Sequence, residues 1–370
     1  MKKKNISRRS FLTGVALLPW GSSFASSIPL KSKQSLFING HHNQRDSFYL
    51  EGITELGEKK FRLSLPEMPH GFAINPAKHN HLAVFPGLTG TKMVVYDVSK
   101  NKQIAEVNIR ADRHFNGHGV FSLDGKLLFT TENIIDSSEG VIGVYETDNF
   151  TFLREFSAYG LGPHGLDILP DGKSLVIASG GLRTRPDTGK YYFDINKMQS
   201  SVVYIDAKNG KLLHKIKEPI HRLSIRQAIP FGRDQDVLVV CQYKGKRVMP
   251  KLVGIQRGNG DIEMLDIDDD SLSLMNGYVG HVVVAGNIAA VSAPRGKGMF
   301  FWNLKQNKFL GFVEINDVSG VQPIDNDGNF IASANTGELY KINVNTLTSS
   351  LLINLGEDIK WTNHMIKMVV

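Results

Sequence analysis

Cysteine is almost missing from this chain: of 370 residues only Cys241 carries a thiol. An intrachain disulfide is therefore excluded, and so is a zinc or iron–sulfur site built from several thiolates. Long hydrophobic runs are missing as well. The apolar stretch nearest the N-terminus, Phe11 to Trp20, is far shorter than the ~20 residues of a membrane-spanning helix. No long segment places apolar residues at helical spacing. A large charge excess is also missing from the body of the chain. The formal net charge is +7, from 43 Lys and Arg against 36 Asp and Glu. Lys2, Lys3, Lys4, Arg8 and Arg9 supply five of these cations, in an opening that holds no acid, which leaves 38 basic against 36 acidic side chains. So even a balance is no electrostatic footprint for nucleic acid. There is no Gly-x-Ser-x-Gly elbow, no His-Glu-x-x-His pair and no glycine-rich loop in a strand–loop–helix setting. The acidic run Asp266 to Asp270 lacks the glycine and the closing glutamate of a calcium loop and reads as a solvated turn.

What is present begins with an address. A basic opening leads into Ser7-Arg8-Arg9-Ser10-Phe11-Leu12, a short apolar run, and Gly21-Ser22-Ser23-Phe24-Ala25. This order fits a twin-arginine export signal over residues 1–25, cleaved after Ala25, with 26–33 as a linker. The expectation is a periplasmic protein whose mature chain has no membrane span.

After the linker one pattern recurs: a turn residue and His, an alternating apolar strand, an Asp-Gly or Asn-Gly type turn, then a second apolar strand. It starts at His70-Gly71-Phe72, His118-Gly119-Val120 and His164-Gly165-Leu166. Weaker copies start at Ile225-Arg226-Gln227, His281-Val282-Val283, Gly320-Val321-Gln322 and His364-Met365-Ile366. Starts spaced by roughly 40 to 60 residues lie in the range of propeller blades. Each full copy holds four strands, and strict alternation between turn residues is the all-β signal. The last copy supplies only an inner strand. The segment before His70 supplies three more, near Leu36, Phe48 and Phe61. Joining them completes one blade and removes a free sheet edge. The sequence thus predicts an all-β fold: a single seven-bladed β-propeller over 34–370, closed by pairing of N-terminal strands with the C-terminal strand.

Several motifs go beyond the repeat: Arg113-His114-Phe115-Asn116-Gly117-His118-Gly119, Thr131-Glu132-Asn133, Gly140-Val141-Ile142-Gly143-Val144-Tyr145, Gly162-Pro163-His164-Gly165, Leu223-Ser224-Ile225-Arg226, Cys241-Gln242-Tyr243 and Ser292-Ala293-Pro294-Arg295-Gly296. With them the chain resembles the exported family known as domain of unknown function 1513, over nearly the whole mature length. That resemblance implies a propeller, a periplasmic location and a link to iron, because members are typically encoded beside imelysin-type iron-uptake lipoproteins. It implies no reaction. This chain departs from a full histidine ring, with Arg226 in the fourth copy and Gly320 in the sixth.

In a propeller the inner strands line the central channel. Their starts lie at one mouth, and the antiparallel second strands end at that same mouth. Two sets should therefore meet there. One is His70, His118, His164, Arg226, His281 and His364. The other is Glu132, Asn133, Arg183, Arg185, Gln242 and Arg295. Each His before Gly has a local explanation, a hydrogen bond that locks its blade to the next; five at one repeat position also make a metal site. Blades packed at roughly 10 Å give a ring up to about 20 Å across, so three neighbours such as His70, His118 and His164 are a better set for one Fe, Cu or Zn than all five. Arg183, Arg185, Arg226, Gln242 and Arg295 suit an anionic ligand or metal chelate. Glu132 and His114 are the candidate catalytic groups. His41, His42, His79 and His81 read as solvated residues of loops or outer turns. The insertion from Arg183 to Met198 reads as a lid over the mouth.

Three functions stay open on the sequence. One is a binding protein for a metal ion or metal chelate. The second is a metal-dependent enzyme, an oxidoreductase or a lactonase- or lyase-like propeller. The third is a platform for a partner such as an imelysin-type lipoprotein.

Overall fold

The computed structural model describes residues 34–370 apart from 189–191, 233–234, 247 and 357; the twin-arginine signal and the linker lie outside the described residues. Alternation of apolar and polar residues, punctuated by tight turns, produces seven four-stranded antiparallel sheets. Blade 1 runs outward from Pro69–Ile74, blade 2 from Arg113–Phe121, blade 3 from Pro163–Ile168, blade 4 from Leu223–Phe231, blade 5 from Val282–Ala285 and blade 6 from Val318–Pro323. In blade 7 the inner strand is Lys360–Val369, followed outward by Ser35–His42, Phe48–Thr54 and Lys59–Leu65. Each inner strand packs on the next, and the ring closes where Lys360–Val369 meets Pro69–Ile74.

Closure is a register of backbone pairs from Ser35 opposite Val369 to His42 opposite Lys360, with a bulge between Asn39 and His41. At that bulge the buried Asn39 amide donates to Ser333 Oγ at 2.9 Å, tying blade 7 to blade 6. The core fills the spaces between neighbouring blades. Trp302, Phe300 and Val291 of blade 5, for example, share one apolar cluster with Val239 and Cys241 of blade 4. Turn chemistry fixes the hairpins: Gly125, in Asp124-Gly125, has φ +68, and a Cβ there would lie 2.2 Å from the Asn75 side chain.

Two local expectations are corrected. His41 is not solvated. It sits on strand Ser35–His42, buried, with Nε2 3.1 Å from Glu51 Oε2, between the rings of Tyr49 and Trp361. The acidic run is not a simple turn: the Asp268 side chain caps a short α-helix, Asp269–Leu274, by accepting from Ser271 N at 2.8 Å. Among the described residues no helix is long and apolar enough to cross a membrane.

Candidate metal and anion site at the channel mouth

The inner strands converge more tightly than blade spacing alone suggests, and the five histidines of the repeat form one layer across the channel. Ring centroids are 5.0 Å apart for His70–His118, 4.5 Å for His118–His164, 5.3 Å for His70–His164, 4.4 Å for His70–His364 and 4.7 Å for His281–His364. Three of the five, His70, His118 and His164, are followed by glycine, and that glycine has a packing reason. A Cβ at Gly71 would meet the Gly117 carbonyl at 2.3 Å, and one at Gly165 the Arg226 carbonyl at 2.8 Å. Gly117, with φ +101, lets the His70 ring approach its backbone; a Cβ there would be 2.5 Å from His70 Cδ2.

Within the layer His70, His118 and His164 each offer one ring nitrogen, and the three atoms lie within 4.8 Å of one another. Hydrogen bonds set the tautomers. His164 Nδ1 lies 3.0 Å from the Arg226 carbonyl and must donate to it, which leaves Nε2 with its lone pair. His281 Nδ1 accepts from Val321 N at 3.1 Å, so in the neutral ring Nε2 carries the proton. His364 Nδ1 lies 3.3 Å from Gln227 Nε2, and its Nε2 lies 3.2 Å from His70 Nε2, so one of these two rings donates to the other. Burial is the main force on these rings. It holds His118, His164 and His364 well below the ordinary imidazole value and takes His281 down to about 3. All four are neutral at neutral pH, the form that binds metal. His118 Nε2 is buried with no hydrogen-bond partner.

The layer separates two spaces. On one side a funnel of about 500 Å³ is lined by inner-strand residues such as Phe72, Ile74, Val120, Ile229 and Val283, and His118, His281 and His364 open into it. Asp167 is its one lining carboxylate, pushed up to about 6 by burial. On the mouth side a small pocket brings Arg226 and His164 together with Tyr192, Thr184 and Asn116. Arg226 occupies the histidine position of blade 4, next to a bulge between Ile225 and Gln227. Burial lowers the pKa of its guanidinium, and Nε has no partner. Gln242 donates to the Val279 carbonyl at 2.8 Å and accepts from Lys244 Nζ at 2.8 Å. The Lys244 ammonium sits 5.2 Å from the Tyr192 ring and 5.9 Å from the Tyr278 ring, and the Arg295 guanidinium covers Tyr278 at 4.3 Å.

Arg226, Gln242 and Arg295 thus join the mouth. Arg183 and Arg185 do not: Arg183 donates to the Ser137 carbonyl, and Arg185 pairs with Asp187 at 3.2 Å. Their insertion contributes Thr184 and Tyr192 instead. Glu132 lies inside blade 2, 0 % exposed, with Oε1 accepting from Thr130 at 2.6 Å and from Tyr145 at 2.9 Å. Burial pushes its carboxyl up to about 7. His114 is also buried, donating from Nδ1 to the Phe115 carbonyl at 3.0 Å. Neither group hydrogen-bonds to the histidine layer. Lys244, Tyr192 and Tyr278 were not expected from the sequence. Lys244 follows Gln242 by two residues along a strand direction, a period-2 signal that could have placed it on the same side.

In fold the chain is similar to Kuenenia stuttgartiensis hydrazine synthase, with a TM-score of 0.58 and 15% identity over 85% of this chain and 93% of that one. It is also similar to a chain of the mitotic checkpoint complex, with a TM-score of 0.57 and 11% identity over 77% and 76%. Likeness at such identities concerns architecture alone. No functionally curated protein matches the chain. A family model described as "Protein of unknown function (DUF1513)" matches residues 63–368, which spans all seven inner strands and leaves out the second and third strands of blade 7.

Proposed function

The chain belongs to the DUF1513 family, and we propose that it is an exported periplasmic propeller that binds a metal ion, iron or copper, on His70, His118 and His164 and serves iron acquisition. The observation that carries this reading is the group of three imidazole nitrogens within 4.8 Å of one another. Metal–nitrogen bonds of about 2.0–2.1 Å set donors roughly 3 to 4 Å apart, so a cation needs the widest pair to close by about 1 to 2 Å. Three imidazoles without thiolate or carboxylate suit Fe, Cu or Zn and leave open coordination positions. The Arg226 carbonyl aims the His164 ring in the way outer-shell acceptors orient metal-bound histidines. A cation would also satisfy the His118 nitrogen, whose orphaned burial costs about 1–3 kcal/mol. His281, with Nδ1 already accepting, and His364, whose ring bonds to that of His70, stand beside the ion rather than on it. The choice of iron, and an imelysin-type lipoprotein as partner, are supported by the family resemblance. Turnover would need a general base at the open position; Glu132 and His114 bond elsewhere, which favours binding over catalysis.

Elemental analysis of the purified mature protein, after exposure to Fe(II), Cu(II) or Zn(II) and gel filtration, tests this. One ion per chain is expected, and it should be lost in the His118→Ala/His164→Ala variant. A parent protein that retains none of the three refutes the reading.

A further inference from the structure

We infer that the mouth face carries a built anion site, formed by Arg226, Lys244 and Arg295 around Tyr192 and Tyr278, that takes a small polycarboxylate and presents it to the metal on the histidines. The last clause rests on the metal reading; the anion site does not.

Three cations have gathered here without a counter-charge. Among the described residues no carboxylate forms a salt bridge with Arg226, Lys244 or Arg295. Arg226 is half-buried with its buried Nε unpartnered, and it shares the small mouth pocket with Tyr192. Lys244 makes its one side-chain hydrogen bond to Gln242, which the Val279 carbonyl holds in place. Burial first, then repulsion from Arg226 and Arg295, brings the ammonium down to about 7. Like charges packed this way are unfavourable unless an anion joins them. Arg226 lies close enough to His118 and His164 to lower both their pKa values, so a ligand held by its guanidinium is a neighbour of the proposed metal.

The arrangement also points to the ligand class. Arg295 covers the Tyr278 ring at 4.3 Å, while the Lys244 ammonium stands 5.9 Å from that ring and 5.2 Å from Tyr192. The cations are thus spread around two aromatic rings. A ligand with several spaced carboxylates can engage them separately and still offer an oxygen to the metal, whereas a compact ion such as phosphate meets them one at a time. Guanidinium forks and an ammonium are the donors that carboxylates require.

The test is calorimetric titration of citrate, and separately of inorganic phosphate, into the metal-free mature protein. The variants are Arg295→Gln, whose parent side chain is exposed, and Lys244→Met, each with its fold checked by circular dichroism. The expected result is one citrate per chain, at least tenfold weaker in each variant, with phosphate binding more weakly than citrate. In the iron-loaded parent, citrate should slow loss of the ion to an external chelator, and in the variants it should not. No citrate binding, citrate binding that both variants keep, phosphate binding tighter than citrate, or citrate that strips the ion overturns the inference. If the metal-free protein binds citrate as expected but no metal is held with or without it, the metal reading fails and the anion site stands. If metal is held on the histidines and citrate is ignored, the reverse holds.

Discussion

Glu132→Gln should stabilise this protein, and only above a definite pH. The parent carboxyl is fully buried in blade 2, with Oε1 satisfied by Thr130 and Tyr145 and Oε2 without a partner. Gly143 makes the room, since a Cβ there would lie 2.0 Å from Oε1. Burial raises the carboxyl from 4.5 to about 7, against the pull of those two hydrogen bonds and of Arg110. The sign follows from linkage. Between 4.5 and about 7 the unfolded chain releases a proton that the native state keeps, so stability falls as pH rises through that window and then levels off. At about 1.36 kcal/mol per tenfold, the deficit at pH 8 is about 3 kcal/mol. Glutamine copies the neutral acid in shape and acceptor, so it removes the deficit. Urea unfolding followed by fluorescence of the buried Trp302 and Trp361 measures it. Parent and variant should agree within about 0.5 kcal/mol near pH 4.5 and differ by about 3 kcal/mol at pH 8, the variant being more stable. A difference that does not change with pH, or a variant weaker at pH 8, would refute the reasoning.

Other consequences can be checked in the same way. Ending the chain at Ile359 removes the inner strand of blade 7 and leaves Ser35–His42 as an open edge; aggregated protein is expected on size-exclusion chromatography, and a monomer with unchanged melting would contradict closure. Gly117→Ala places a Cβ 2.5 Å from His70 Cδ2 at φ +101, so it should cost about 1–3 kcal/mol of strain and lower metal affinity at least tenfold. Gly356→Ala has the same φ of +101 in open space, and should show the strain without the loss of metal. Glu51, held below its ordinary value by hydrogen bonds to His41 and Arg62 that outweigh burial, adds stability above the ordinary carboxyl pKa that disappears as pH falls. Glu51→Gln should therefore destabilise more at pH 7 than at pH 3, read from urea unfolding at the two pH values; an equal loss at both would count against the pairing.

The blades were legible because their signals are local. Asp124-Gly125, Asp171-Gly172 and Asn209-Gly210 mark turns wherever they stand, and residues two apart share a sheet face in any strand. Counting strands at the two ends was then enough to predict closure, since an inner strand after Ile359 and three partners before Pro69 can only complete each other. The histidines followed from repetition: one position per copy, gathered by rotational symmetry around one axis. Less local features were hidden. Arg183 and Arg185 read as mouth residues by their distance from a strand end, yet their insertion turns both outward and brings in Tyr192. His41 looked like a loop residue because the bulge at Asn39 is invisible in the alternation.

By itself the sequence determined the class of fold, the number of blades, the pairing of its two ends and which residues face the channel, because each depends on short-range periodicity and turn stereochemistry. Tertiary structure alone decided how far the inner strands converge, which nitrogen of His164 and of His281 keeps its lone pair, and that Lys244 and Tyr278 stand with Arg226 and Arg295. Those depend on contacts between blades far apart in the chain, where a carbonyl such as that of Arg226 or an amide such as that of Val321 fixes a ring that no neighbour in sequence can reach.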